Sequence, residues 1–155
     1  MSQVFAALSW YLLVTVAGYL TLPLAARFLK FLPDRGFTLI RSLGLLLWGY
    51  LFWLLTTFKV LQNSAGGVLV ALFLVAAFSL WAGWHRWKEL REWFAGQKRL
   101  VLTVELLFLG AYLFWCVVRA ANPEIIYTEK PMEYAFINAI LRSPTFPPFD
   151  PWLSG

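Results

Sequence analysis

The sequence predicts an all-α polytopic membrane protein, with four transmembrane helices followed by a C-terminal extracytoplasmic surface helix and a proline-rich tail. Three observations carry this. Hydrophobic residues make up 61% of the 155 and charged residues only 14%, with a mean hydropathy of +0.68, where a soluble domain carries roughly a quarter charged residues. Four apolar stretches are each close to the ~20 residues needed to cross ~30 Å of hydrocarbon. Lysine and arginine gather in alternate loops, as cytoplasmic retention of positive loops requires.

The first span is expected at about Val4 to Leu24, with Pro23 near its end, where a lost backbone donor is tolerated in a membrane helix. No basic residue precedes it and no cleavage site follows, so it reads as an anchor rather than a removable signal peptide. The second span is expected at about Leu39 to Val60, the third at about Val68 to Trp84, and the fourth at about Leu100 to Val118, with Asn63 to Gly67 as a short turn. Trp10, Trp84, Trp87, Trp93 and Trp115 lie near span ends, where amphipathic rings sit at the headgroups. The lone Cys116 allows no internal disulfide, and the lone His85 has no second ligand at a metal- or haem-binding spacing.

Arg27, Lys30, Arg35 and Arg41 lie in the first loop, and Arg86, Lys88, Arg91, Lys98 and Arg99 in the third. This places those loops in the cytoplasm and both termini outside, in a multi-pass protein of the cell membrane. The formal net charge of +5 then reflects positive-inside loops and not a nucleic-acid partner. The third loop, Trp84 to Arg99, reads as a short amphipathic helix at the headgroups. Its Trp84, Trp87 and Trp93 are expected to dip toward lipid while the basic residues meet anionic phosphates.

Glu105 is an ionisable group inside the fourth span, at an insertion cost of roughly 2.5 to 3.5 kcal/mol, and so demands a partner or a function. Two readings stand. The carboxylate snorkels toward Lys98 or pairs with a basic residue of another cytoplasmic loop, or it makes a buried contact to helices outside this chain.

Beyond the fourth span the composition changes. Asn122 to Trp152 holds four of the eight carboxylates and six of the eight prolines, so this stretch cannot be a further span. Asn122-Pro123 ends the preceding helix, and Pro131 suits the first position of a new one. Met132, Ala135, Phe136, Ala139 and Ile140 share one helical face, which predicts a surface helix from Pro131 to Arg142, stopped by Pro144. The tail after it is proline-stiffened, with Phe146, Phe149 and Trp152 around Asp150. Glu129 is expected in extended backbone two residues before the helix, where the helix dipole and Lys130 favour its charged form. Carboxylates held there suit a general base toward an acceptor hydroxyl, or ligands for a divalent cation on a lipid phosphate; solvated surface acids are the plain alternative.

The stretch NPEIIYTEKPMEYAFINAILRSPTFPPFDPWLSG resembles the opening signature of the YYY membrane-protein family, polytopic proteins of uncharacterised function. The preceding ELLFLGAYLFWCVVR, with Glu105 and Arg119, resembles the helix that leads into it. The resemblance is specific over residues 104–155 and topological before them. That family is in turn similar to GT-C glycosyltransferases, in which a helix leads outward into a loop bearing a catalytic acid. The resemblance implies a division into residues 1–99, three supporting spans, and 100–155, the start of a GT-C-like core. It implies Glu129 as general base, with Glu133 or Asp150 positioning a divalent cation or the acceptor. Lys130, Arg119 and Trp152 are implied as substrate-binding, with membrane lipids and a polyprenyl-phosphate-linked sugar donor as partners. The sequence departs from the family pattern in having Glu129-Lys130 where an acidic pair is common. The chain ends at Gly155, where the family continues into further spans, so an N-terminal fragment inactive by itself is expected. A non-catalytic membrane assembly or transport subunit, docking through the surface helix and tail, is the other reading.

Overall fold

The computed structural model describes residues 3–124 and 129–153. The elements in chain order are α1 (Gln3–Phe28), a 3-10 turn (Phe37–Leu39), α2 (Ile40–Thr57), α3 (Ala65–Gly83), a second 3-10 turn (Trp84–Arg86), α4 (Trp87–Gly96), α5 (Lys98–Ala121) and α6 (Lys130–Arg142). No strand occurs among the described residues. Four helical stretches, Gln3–Phe28, Phe37–Thr57, Ala65–Gly96 and Lys98–Ala121, are long and apolar enough to cross a membrane.

Small side chains let the first three helices meet closely, as expected where lipid removes the hydrophobic drive for helix association and packing must supply it. Ala17, Gly18 and Thr21 of α1 are buried against α2, where a Cβ built on Gly44 would lie 2.5 Å from the Ala17 carbonyl oxygen. Thr21 Oγ1 donates to the Gly18 carbonyl at 2.8 Å, with the Ile40 carbonyl at 3.2 Å. On the other side, α3 turns Ala71, Val75, Ser79, Ala82 and Gly83 inward. α1 continues through Pro23 to Phe28 and does not end near Leu24 as the sequence led us to expect. Two contacts from α3 accommodate the proline: the Leu24 N–H donates to Ser79 Oγ at 3.2 Å, and Gly83 leaves room for the ring.

α3 begins at Ala65, three residues earlier than expected, because Ser64 caps it by accepting from the Gly67 N–H at 3.2 Å. At its other end it passes through the Trp84–Arg86 turn into α4. The inner face of α4 corrects one expectation. Trp84 and Trp87 are exposed, but Trp93 packs into the protein, its ring 6.0 Å from Phe37 and 5.1 Å from Phe94. Together with Leu90 these rings close a core around Leu22, Ala25, Ala26, Phe37 and Ile40. The loop helix therefore seals the basic end of the bundle.

The loop before α2 is held by Asp34. Its carboxylate accepts from the Thr38 hydroxyl at 2.5 Å, the Thr38 N–H at 2.9 Å and the Gly36 N–H at 3.1 Å. Partial burial pushes this carboxyl up, but the three hydrogen bonds outweigh it and hold it below its ordinary value of 3.8. A depressed folded-state value means the contribution is present above 3.8 and is lost as pH falls through the folded value. Melting temperatures of the detergent-purified chain should therefore fall on acidification below 3.8. The Asp34→Ala variant should melt lower at neutral pH, with a smaller acid-induced decrease; an unchanged slope would remove this role from Asp34.

Cross-chain contacts sort the remaining elements by end. Tyr112 on α5 donates to the Ala7 carbonyl at 2.6 Å, joining the start of α1 to the end of α5. Asn63, in the α2–α3 turn, donates through Nδ2 to the Ile140 and Ser143 carbonyls at 2.6 and 2.8 Å, and its own N–H reaches the Pro144 carbonyl at 2.8 Å. Phe52 meets Phe146 edge to face at 5.8 Å. The start of α1, the α2–α3 turn and α6 thus share the end opposite the basic loops.

Candidate functional site

Two places carry chemistry that lipid packing does not explain. The first lies inside the bundle. Glu105, the eighth residue of α5, stands about 10 Å along the helix from Lys98 at 1.5 Å per residue. Its Oε1 accepts from the Tyr19 hydroxyl at 3.0 Å, and its Oε2 forms an ion pair with Arg41 Nη2. The Arg41 side chain is 8% exposed and that of Glu105 24%, so the pair is largely withdrawn from solvent. The Arg41 guanidinium carbon also lies 4.0 Å from the centroid of Phe108, a cation–π placement. Of the two sequence readings, the structure selects pairing with a basic residue at the end of another loop. Lys98 takes no part, and both carboxylate oxygens are engaged within the chain.

This network ties α5 to α1 and α2, and Leu100, Val101 and Val104 pack partly buried against the core. None of the residues of α5 is buried. It reaches α1 and α2 through long side chains, the polar network plus Phe108 and Tyr112 against Tyr11 at 5.6 and 5.4 Å. The sequence signalled that Glu105 needed a partner; Tyr19 as a second one carried no signal, because a tyrosine in a span reads as an ordinary lipid-facing ring.

The second place is the segment after α5. α6 starts at Lys130, so Pro131 is its second residue, one later than expected. Glu129 is the N-cap, with φ −86° and ψ −20°, which corrects the expected extended backbone; the Glu133 N–H bonds the Glu129 carbonyl at 2.9 Å, and that bond draws residue 129 into the first turn. The Glu129 side chain makes no capping hydrogen bond and stands exposed, with Glu133 one turn along. Lys130 Nζ donates to the Glu124 carbonyl at 3.2 Å, and Arg119 Nη1 to the Asn122 carbonyl at 2.7 Å. Asp150 is directed elsewhere: it accepts from the Trp152 and Leu153 N–H groups at 2.8 and 3.3 Å, with Trp152 exposed. The tail folds toward the C-terminal half of α6, where Asn138, Arg142, Phe149 and Pro151 line an open concavity of about 470 Å³. Glu129 and Glu133 are thus brought together, while Asp150 belongs to a separate turn. Among the described residues no three Asp, Glu, His or Cys side chains group as a metal ion requires, so these residues do not by themselves fit a protein-held divalent cation. Ile125 to Thr128 lie outside the described residues, with that part of the predicted signature.

The helices and their polar tie define a multi-pass helical membrane protein. Residues 47–155 match the family described as uncharacterized membrane protein (DUF2298), and the chain belongs to that family. The matched region opens within α2 and includes Glu105, Arg119 and the whole segment after α5; Tyr19 and Arg41 precede it. No curated protein and no solved structure matches the chain.

Proposed function

We propose that the chain is a membrane section of a GT-C-like glycosyltransferase that takes a sugar from a polyprenyl-phosphate donor on the extracytoplasmic face. Residues 1–99 serve as the supporting spans and 100–155 as the start of the catalytic core. The observation that carries this reading is Glu129: an exposed carboxylate at the mouth of α6 that is not spent on capping its own helix. The YYY-type resemblance over residues 104–155 supports it, and the family match over 47–155 supports the membrane setting it requires. The concentration of basic residues at the opposite end supports a cytoplasmic position for the two long loops of the cell-membrane protein.

In this reaction Glu129 removes the proton from an acceptor hydroxyl as its oxygen bonds to the anomeric carbon. The bond from that carbon to the phosphate oxygen breaks, and the polyprenyl phosphate leaves with the electron pair. Lys130 and Trp152 meet the donor, and Glu133 orients the acceptor. The Glu129→Gln variant should lose sugar transfer by about 10²- to 10⁴-fold in membranes containing the protein. A cysteine introduced at Ser143 should still label from the outer face. Unchanged transfer would remove Glu129 as base, and no transfer by membranes carrying the full-length unaltered protein would remove the reading itself.

One observation favours a second reading. No residue of α5 is fully buried within the chain, as suits a helix whose partners belong to a larger membrane assembly. In that case the surface helix and tail dock a neighbouring subunit without catalysis.

A further inference from the structure

Between the start of α1 and the end of α5 lies a crevice of about 620 Å³, lined among others by Val4, Ala7, Tyr112, Trp115, Cys116 and Arg119. Its walls are mostly apolar, with Gln3 and Arg119 among the lining, and the Tyr112–Ala7 hydrogen bond bridges them. Arg119 is the one cation among the described residues that line it. The guanidinium is held by the Asn122 carbonyl through Nη1, and no carboxylate pairs with it among the described residues. α5 has 24 residues, about 36 Å at 1.5 Å per residue, and Arg119 lies in its last turn. A helix of that length which begins at one interface places the residue at the opposite headgroup layer.

We propose that this crevice holds one bilayer glycerophospholipid, with its phosphate on Arg119 and the upper part of an acyl chain between α1 and α5. Charge and shape both select this occupant. A guanidinium with open donors and no acid beside it suits a phosphate, which it binds through charge-assisted hydrogen bonds. The wall below Arg119, back to Tyr112, is about 10 Å long on α5, enough for the first part of an acyl chain beside its headgroup. The resemblance assigned Arg119 to a polyprenyl-phosphate donor; a crevice this short offers a long isoprenoid little of its length. The proposal needs only the crevice and a membrane, and it stands or falls separately from the role of Glu129.

Native mass spectrometry of the delipidated, detergent-purified chain tests it, with phosphatidylglycerol, diacylglycerol and a polyprenyl phosphate as probes. One phosphatidylglycerol should be retained, and diacylglycerol, lacking the phosphate, should bind about tenfold more weakly. Arg119→Gln should lower phosphatidylglycerol retention by about tenfold, and Arg119→Lys should recover most of it as a point charge. Ala7→Trp, which fills the crevice and keeps the cation, should also reduce retention, with circular dichroism showing unchanged helix content in each variant. Wild-type retention in Arg119→Gln or in Ala7→Trp, equal binding of diacylglycerol, or tighter binding of the polyprenyl phosphate would each overturn the assignment.

Discussion

Glu105→Ala is expected to be among the most damaging single changes in the chain, because it strands the Arg41 guanidinium in an apolar setting. Breaking a buried ion pair from one side costs about 3–5 kcal/mol, and the partial exposure of Glu105 places this case toward the lower figure. Arg41→Ala should cost a similar amount by leaving the carboxylate with Tyr19 alone. Replacing both with apolar residues, Arg41→Met with Glu105→Leu, should cost much less than the two single changes added together, since no charge is then left unpaired. Tyr19→Phe removes one hydrogen bond and should cost about 1 kcal/mol. Thermal unfolding in detergent reads all four, and additive single and double effects would show that the pair does not hold α5. A second readout separates local from global damage. Amide hydrogen exchange along α5 should accelerate in Glu105→Ala more than along α3.

The other large effect is expected at Gly44, where α1 and α2 touch backbone to backbone. A Cβ there would lie 2.5 Å from Ala17 O and 2.8 Å from Gly18 N, and neither backbone atom can turn aside. Gly44→Leu should force the helices apart at a cost of about 3 kcal/mol or more, the upper range for overpacking, and should lower the melting temperature accordingly. The control lies on the same helix. A Cβ at Gly49 would meet nothing within 4 Å, so Gly49→Leu should leave stability within about 0.5 kcal/mol. Equal effects at the two positions would mean that the crossing is not where the constraint lies.

These two sites also show what the sequence could reveal. Hydropathy located all four spans, and charge alternation placed the start of α1, the α2–α3 turn and α6 together, as the Tyr112 and Asn63 hydrogen bonds join them. Helix limits shifted where a residue distant in sequence intervened: Ser79 carries α1 past Pro23, and no local pattern foretells that. Trp93 was assigned to lipid because hydrophobicity does not distinguish acyl chains from the Phe37 ring. Glu105 announced a need for a partner, but the 64 residues separating it from Arg41 hid which of several basic residues would answer. In the segment after α5, the helix was legible from its apolar spacing but the entry of Glu129 into its first turn was not, and the turn that occupies Asp150 depends on how the tail folds back.

Asn63 has a consequence for how the chain is made. Its side chain grips a carbonyl 80 residues further on, and between them the polypeptide passes along α3 and returns along α5. The grip is possible only after an even number of passages through the bilayer, so a nascent chain that skips or inverts one leaves the amide of Asn63 on the wrong side of the membrane from its acceptor. The bond is therefore open to a chain that crosses twice between these residues and closed to one that crosses only once.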